Sequence, residues 1–223
     1  MIFSGKIEAV KLYLFGGAET DQGQGPILKE MINDVLADVK PKQLLHIPYA
    51  RIIVPEGEED IWGEGWVAKD LKLDGIMLLD ARNEDDLARA DNPVIFMNGG
   101  PQRDNLYDNI VQNKKLHDLV MNAEVVIGES AGSMVCAEYR RTYKDNVEIT
   151  KKGLGILSST IIEPHYSERN RHQLLRDEMK EVNAKYGIGI DSISGIIIDT
   201  KIYPDEHQTV GSGLVELVKR EDL

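Results

Sequence analysis

The sequence predicts a single α/β domain, residues 1–223, built on a doubly wound, mostly parallel sheet flanked by helices. Short apolar segments rich in β-branched residues recur along the chain, and stretches with helical spacing separate them, as in successive strand–helix–strand units. The strand segments are apolar throughout rather than alternating with polar residues, which indicates a sheet covered on both faces. The length suits one domain with a substantial core, and no repeat or low-complexity segment suggests a division.

The individual elements follow from these patterns. Apolar runs predict strands at 9–15, 43–48, 75–79, 94–97, 125–127, 160–162 and 195–199. Helical spacing predicts helices at 26–39 and 104–121, and a charged amphipathic helix at 168–186. A final antiparallel pair, 202–203 and 214–218, is expected to form a C-terminal antiparallel edge around the turn Gly211-Ser212-Gly213. In such a fold, ligands bind at the carboxyl ends of the strands.

The composition argues against several functions. A formal net charge of −12 disfavours nucleic acid and anionic membrane surfaces as partners. No apolar run reaches membrane-spanning length, and residues 1–6 carry no long apolar signal segment, so we expect a cytoplasmic location. The single cysteine, Cys136, allows no internal disulfide, and the histidines form no H-E-x-x-H motif. We therefore expect neither a metal nor another cofactor.

The segment Gly128-Glu129-Ser130-Ala131-Gly132 is the main candidate for chemistry. It follows the apolar run 125–127 and matches G-x-S-x-G, the turn that places a nucleophilic serine between a strand and a helix. The flanking glycines tolerate a cramped backbone, and the following helix directs free N–H groups towards the serine. The pattern predicts Ser130 as a nucleophile; the alternative is a glycine-rich turn without chemistry.

Two further candidates follow predicted strands. The bare N–H groups of Gly99-Gly100, together with that of Ala131, would form an oxyanion hole, although Gly-Gly can equally mark only a tight turn. His165 is the predicted general base for Ser130; its alternative role is to hydrogen-bond a loop in place. The remaining histidines lie in an apolar run, on helices or in an exposed turn: His46, His117, His172 and His207.

The order of these motifs resembles peptidase family S51, which includes aspartyl dipeptidase (peptidase E) and cyanophycinase. The resemblance rests on Gly16-Gly17, Gly99-Gly100, the Ser130 turn and Pro164-His165-Tyr166, and it runs from about residue 12 to the terminal strands. The family is related in fold to the class I glutamine amidotransferases, so the resemblance implies that flavodoxin-like architecture.

The resemblance also implies roles for individual residues. Ser130 would be the nucleophile, His165 the base, and Gly100 and Ala131 the oxyanion donors. The substrates would be small peptides with an acidic residue, cleaved at an aspartyl or β-aspartyl linkage.

The sequence departs from the family at the acidic residue of the triad. Members generally carry a Gly-Ile-Asp-Glu-like segment, whereas this chain reads Gly189-Ile190-Asp191-Ser192, with a serine at the place of the glutamate. We expect the adjacent Asp191 to orient the imidazole, with Asp145 and Asp199 as poorer candidates. A weakened or inactive triad is the alternative.

Substrate recognition is expected from side chains near the two loops. Arg169 and Arg171 lie four and six places after His165, as in the cyanophycinase pattern, and a guanidinium could grip a substrate carboxylate. Alternatively, they are solvated or paired arginines of a charged helix. Gln102 and Arg103 are similarly placed after the Gly-Gly turn. Because the net charge is negative, an anionic substrate needs a local cationic pocket.

The segment 53–70 departs from the strand–helix rhythm and carries both tryptophans, Trp62 and Trp66. Two interpretations stay open: a surface excursion pinned by tryptophan packing, or a lid or homodimer contact using exposed aromatic side chains. Related folds often form dimers, so a homodimer is one expectation.

We consider three alternative functions for this sequence. The first is a serine-type peptidase that forms an acyl-enzyme on Ser130. The second is a catalytically impaired, S51-like binding protein that lacks a complete triad. The third, glutamine amidotransfer, is disfavoured because that chemistry needs cysteine at the turn, where this chain has serine.

Overall fold

The computed structural model describes residues 9–54, 56–144 and 147–223. Its strands are β1 (Lys11–Phe15), β2 (Gln43–Ile47), β3 (Met77–Asp80), β4 (Val94–Met97), β5 (Val125–Glu129), β6 (Ala137–Lys144), β7 (Val147–Lys152), β8 (Leu157–Pro164), β9 (Tyr186–Ile190), β10 (Ser194–Asp199), β11 (Gln208–Gly211) and β12 (Val215–Lys219). Its α-helices are α1 (Gly25–Val39), α2 (Glu59–Trp62), α3 (Trp66–Asp70), α4 (Glu84–Arg89), α5 (Arg103–Gln112), α6 (Lys114–Met121), α7 (Ala131–Cys136) and α8 (His172–Glu181).

The larger sheet confirms the predicted α/β fold. In the described residues it has seven strands in the order β11-β10-β1-β5-β4-β2-β3, and the pairs from β1 to β3 are all parallel. Alternate side chains of β1 enter two separate apolar clusters: Leu12 and Leu14 pack with α5, α6 and α7, whereas Tyr13 and Phe15 pack with α1. Helices therefore cover both faces of the sheet, as the continuous apolar runs predict.

The C-terminal antiparallel edge exists, but different residues form it. β10 pairs antiparallel with β1, and β11 pairs antiparallel with β10. The predicted strand at 202–203 is wrong, because these residues lie in a turn between β10 and β11. The predicted partner at 214–218 corresponds to β12, which pairs with β9 in the second sheet.

The second sheet was not expected as a separate unit. Its five strands within the described residues have the order β12-β9-β8-β6-β7. Three of them, β6, β7 and β9, fall where no strand is predicted, and the helix predicted at 168–186 is shorter: α8 ends at Glu181 and β9 begins at Tyr186. Two glycines of β9 allow close packing, since a Cβ at Gly187 would meet Met179 and one at Gly189 would meet the ring of Tyr166.

Two smaller differences have local causes. The predicted helix at 104–121 is divided into α5 and α6 at Asn113, whose side chain accepts a hydrogen bond from the N–H of Leu116 at 3.1 Å and so caps α6. Trp62 and Trp66 are both buried, which favours the packing interpretation over exposed aromatic contacts. Pro55, in the same segment, lies outside the described residues; the homodimer stays a prediction.

None of the helices in the described residues combines the length and apolar character that crossing a membrane requires.

Candidate active site

Ser130 stands at the turn between β5 and α7. Its backbone angles, φ 48° and ψ −103°, are unusual for a residue other than glycine, and such strain is found mainly at functional sites. Its N–H donates to the carbonyl of Phe15 at 2.9 Å, which ties the turn to β1. A Cβ at Gly132 would collide with the carbonyl of Met97, so glycine is needed for α7 to pack against β4 at this point. The G-x-S-x-G segment thus forms the sharp turn that its pattern predicts.

His165 follows the last residue of β8 and faces this serine. Its Nε2 lies 3.1 Å from Ser130 Oγ, within the predicted hydrogen-bond reach. The residue has φ 49° and is only 6% exposed. The backbone of Gly17 (φ 106°) packs against the pair, because a Cβ there would lie 2.7 Å from His165 Nε2 and 3.1 Å from the Cβ of Ser130. Strands of both sheets therefore bring a hydroxyl and an imidazole together.

Two residues contact the other ring nitrogen of His165. Ser192 Oγ lies 2.9 Å from Nδ1 in hydrogen-bond geometry. Glu19 Oε1 lies 2.7 Å from Nδ1, but it makes no well-directed hydrogen bond within the described residues. Contact with His165 holds the pKa of Glu19 at about 2, against the opposing effect of burial, and Arg169 at 3.5 Å acts in the same direction. A carboxylate therefore accompanies the imidazole.

This carboxylate is not the one expected from the sequence. Asp191 accepts hydrogen bonds from the N–H groups of Ser167 and Leu214, each at 2.8 Å, and these contacts tie neighbouring loops together. The expectation that Asp191 orients His165 is thus corrected, because Glu19 and Ser192 occupy the space at Nδ1.

The two poorer candidates fare no better. Asp199 accepts from the N–H of Lys201 in a turn at the far end of β10, and Asp145 lies outside the described residues. Glu19 was missed, although it follows the Gly16-Gly17 loop at the end of β1, where site residues are expected.

The predicted oxyanion donors line the same cavity as Ser130. No hydrogen bond joins the N–H of Gly100 or of Ala131 to another described residue, so both remain available to a ligand. Buried Glu129 fixes the neighbouring loop: it accepts from the N–H of Gly99 at 2.7 Å and pairs with Arg51 at 3.1 Å. The Gly-Gly turn is therefore held against the serine by a buried ion pair.

The cavity has a volume of about 540 Å³, a size that suits a small ligand. Arg169 lines it with a half-exposed side chain. Arg171 also lines it, but its guanidinium donates to the carbonyl of Pro164 at 2.7 Å and pairs with Glu163 at 3.1 Å. Burial lowers the pKa of Arg171 to about 10. Arg171 is thus already committed to protein partners, whereas Arg169 keeps a more exposed guanidinium.

Gln102 and Arg103 have different surroundings. The Gln102 side chain accepts from the N–H groups of Ile52 and Ile53 at 3.0 and 3.4 Å, so it fastens a loop and does not line the cavity. Arg103 lines the cavity with its guanidinium 4.8 Å from the centre of the Tyr143 ring, and it forms no ion pair with a described residue. Burial, and secondly the charge of Arg141, lower the pKa of Arg103. Because burial removes part of its hydration, the Arg103 guanidinium is strongly stabilised by an anion that binds beside it.

Other candidate groups serve packing. His46 stacks on Phe96, and burial lowers its pKa to about 4. Cys136 is buried in α7, and burial raises the pKa of its thiol. Among the described residues, no group of three or more His, Cys, Asp or Glu side chains is arranged to hold a metal ion.

Comparisons with known proteins bear on the fold and the family. A search of curated proteins finds no match. The crystal structure of a peptidase from an acI-B1 Actinobacterium is 19% identical, with a TM-score of 0.57, and the match covers 98% of this chain and 94% of that chain. A protein from Listeria monocytogenes EGD-e, provisionally assigned as a peptidase E, is 16% identical, with a TM-score of 0.58, over 92% of this chain and 100% of that one.

At these identities, the two structures establish a shared fold. The family comparison goes further, since the model for peptidase family S51 matches residues 12–202. This range includes both Ser130 and His165 and most of the chain. The chain therefore belongs to peptidase family S51.

Proposed function

We propose that this protein is a serine-type peptidase that hydrolyses small aspartyl or β-aspartyl peptides through an acyl-enzyme on Ser130. The observation that carries the proposal is the 3.1 Å separation of Ser130 Oγ and His165 Nε2 at the wall of a cavity. Membership of a peptidase family supports the reaction class.

The geometry supports a conventional acyl-transfer sequence. Ser130 Oγ attacks the carbonyl carbon of the scissile amide while His165 Nε2 takes the hydroxyl proton. The N–H groups of Gly100 and Ala131 donate to the oxyanion, and each such donor contributes about 3 kcal/mol to transition-state stabilisation in enzymes of this type. His165 then returns the proton to the leaving amine, and water, activated by the same imidazole, hydrolyses the ester.

Arg103 and Arg169 support an acidic substrate. The chain as a whole is anionic, so a negatively charged peptide is attracted only where cations are concentrated. Both guanidinium groups line the cavity that holds Ser130. Of the two, Arg103 is the more strongly desolvated, and a carboxylate bound there forms a strong charge-assisted hydrogen bond.

The first experiment tests the nucleophile. Wild-type protein and Ser130→Ala are treated with a fluorophosphonate probe and assayed against a library of α-aspartyl, β-aspartyl and neutral dipeptides. We expect labelling and turnover to fall by at least ~10³-fold in the variant. Equal labelling of both proteins would contradict the assignment of Ser130. Binding of acidic peptides without any turnover would favour the alternative, a catalytically impaired S51-like binding protein.

The second experiment tests the acidic specificity. Arg103→Gln should lower kcat/KM for an aspartyl dipeptide by about 10–100-fold, because a charge-assisted hydrogen bond is lost, and should change a neutral dipeptide little. Arg220→Gln, near the C-terminus and exposed, is the matched control. Equal losses on acidic and neutral peptides would show that Arg103 does not select the carboxylate.

A further inference from the structure

The imidazole of a serine hydrolase has two requirements at Nδ1. An acceptor must hold the ring so that Nδ1 carries the hydrogen and Nε2 is free to take a proton, and a negative charge must stabilise the imidazolium that forms. A single carboxylate usually meets both. In this protein, two side chains lie at Nδ1: Glu19 from the loop after β1 and Ser192 from the connection between β9 and β10.

Ser192 is placed to meet the first requirement when its hydroxyl oxygen accepts from the N–H at Nδ1. Its Oγ is 2.9 Å from Nδ1 with hydrogen-bond geometry, and the residue is 1% exposed. The Ser192 N–H donates to Glu168 at 2.8 Å, and the neighbouring Asp191 carboxylate binds two further backbone N–H groups. The hydroxyl therefore has a fixed position. It is also neutral, so it contributes direction without net charge.

Glu19 meets the second requirement. Its Oε1 lies 2.7 Å from Nδ1, at ion-pair distance, but less well directed at the ring nitrogen than Ser192 Oγ. Its side chain is 19% exposed, which limits screening by water. The pKa of Glu19, held at about 2 mainly by the contact with His165, keeps the carboxylate ionised at neutral pH. Its charge therefore acts on the ring through space.

Other charged groups share the cavity that contains this imidazole. They are Asp21 from the loop after β1, Arg169 and Arg171 from the loop after β8, Arg51 after β2, Glu58 before α2, Arg103 at the start of α5 and Glu129 at the end of β5. Glu168 reaches the imidazole only through Ser192. Within the described residues, Glu19 is the acidic side chain at ion-pair distance from His165.

We infer that Ser192 and Glu19 divide the role of a triad carboxylate: the Ser192 hydroxyl orients His165, and the Glu19 carboxylate stabilises its cation. The inference rests on the proposed serine-peptidase function. Both are positioning residues, since they act on the substrate only through the imidazole.

The two roles are separable by pH. We expect Glu19→Gln to move the acidic limb of the kcat/KM profile down by about one pH unit, because removal of a neighbouring negative charge makes the imidazole easier to deprotonate. Glu19→Asp should restore part of the shift. Ser192→Ala should lower kcat about tenfold or more while leaving the limb in place, since no charge is lost. Asp21→Asn, in the same loop, should move the limb far less.

A second readout does not depend on turnover. In the Ser130→Ala background, the His165 ring is titrated by NMR with and without Glu19→Gln or Ser192→Ala. A lower midpoint with Glu19→Gln alone supports the division. An unmoved midpoint with Glu19→Gln, or an equal shift with Ser192→Ala, would overturn it. A wild-type protein that the fluorophosphonate probe does not label at Ser130 would refute the proposed function. The NMR titration would still show whether Glu19 and His165 form an ion pair, so the two failures are distinguishable.

Discussion

The serine and the histidine of the candidate site are positioned by different means. Ser130, on the seven-stranded sheet, is fixed by its main chain: a strained φ, an N–H bond to Phe15 and a glycine that lets α7 approach β4. His165, on the five-stranded sheet, has a similar φ, but its ring is directed by the side chains of Ser192 and Glu19.

The buried charged groups beside Ser130 and His165 also differ. Next to the serine, Glu129 pairs with Arg51. Near the histidine, Glu163 binds both Arg141 and Arg171, and a second buried acid, Glu178, lies 3.6 Å from Arg141. The serine side has one buried pair, whereas the histidine side has a cluster of two buried acids and two arginines.

The largest effect is expected at Gly17, whose backbone packs against both Ser130 and His165. Gly17→Ala places a Cβ 2.7 Å from His165 Nε2, so the ring must move away from Ser130, and kcat/KM should fall by about 100-fold or more. Peptide hydrolysis and the thermal midpoint are measured together.

Gly23→Ala is the control for backbone strain alone, since Gly23 also has a positive φ but no atom lies within 4 Å of its Cβ position. Equal losses of activity in both variants would mean that strain, not displacement of the ring, is responsible.

Removal of a charge beside the serine should destabilise the fold. Glu129→Gln leaves the guanidinium of Arg51 buried without its partner, and breaking a buried pair typically lowers the free energy of unfolding by about 3 kcal/mol or more. Urea unfolding at neutral pH measures the change. Glu30→Gln, in an exposed pair with Lys72, should leave the midpoint unchanged within error. A variant as stable as the wild type would show that the pair is not needed to hold the Gly99 loop.

The same type of change near the histidine should have the opposite sign. Burial, and secondly the charge of Glu163, raise the pKa of Glu178 to about 9. The folded state therefore keeps a proton that the unfolded chain releases above about pH 4.3. The stability that this proton provides is fully present at lower pH and is lost as the pH rises through about 9.

Glu178→Gln removes this dependence. At pH 8 to 9 the thermal midpoint of the variant should exceed that of the wild type, by on the order of 2–4 °C, and the difference should shrink towards pH 5. Calorimetric scans across this range provide the measurement, with exposed Glu181→Gln as the control on the same helix. A variant that is less stable at high pH would show that Glu178 is held as a carboxylate by Arg141.

The surroundings of Ser130 could be predicted from the sequence to a greater extent than those of His165. The Ser130 turn was predicted because its requirement is local: a strand, two glycines and a helix start lie within a few residues. The parallel strands were predicted for a similar reason, as each is a short apolar run buried on both faces.

The surroundings of His165 depend on contacts between residues that are far apart in the sequence. β6 reads Ala-Glu-Tyr-Arg-Arg-Thr-Tyr-Lys, and nothing in this pattern reveals that Arg140 and Arg141 are buried, because their carboxylate partners come from other elements. Glu19 and His165 likewise meet only once β1 and β8 are in place. Ion pairs between distant elements leave no periodic pattern in a single sequence, so they could not be predicted from it.

Burial of Cys136 has a practical consequence for labelling this protein in solution. Its Sγ donates to the carbonyl of Gly132 at 3.3 Å and is shielded from reagents, and the sequence contains no second cysteine. The native protein should therefore give almost no background with maleimide dyes. A cysteine introduced at exposed Ile53 would then be the site that the dye labels selectively.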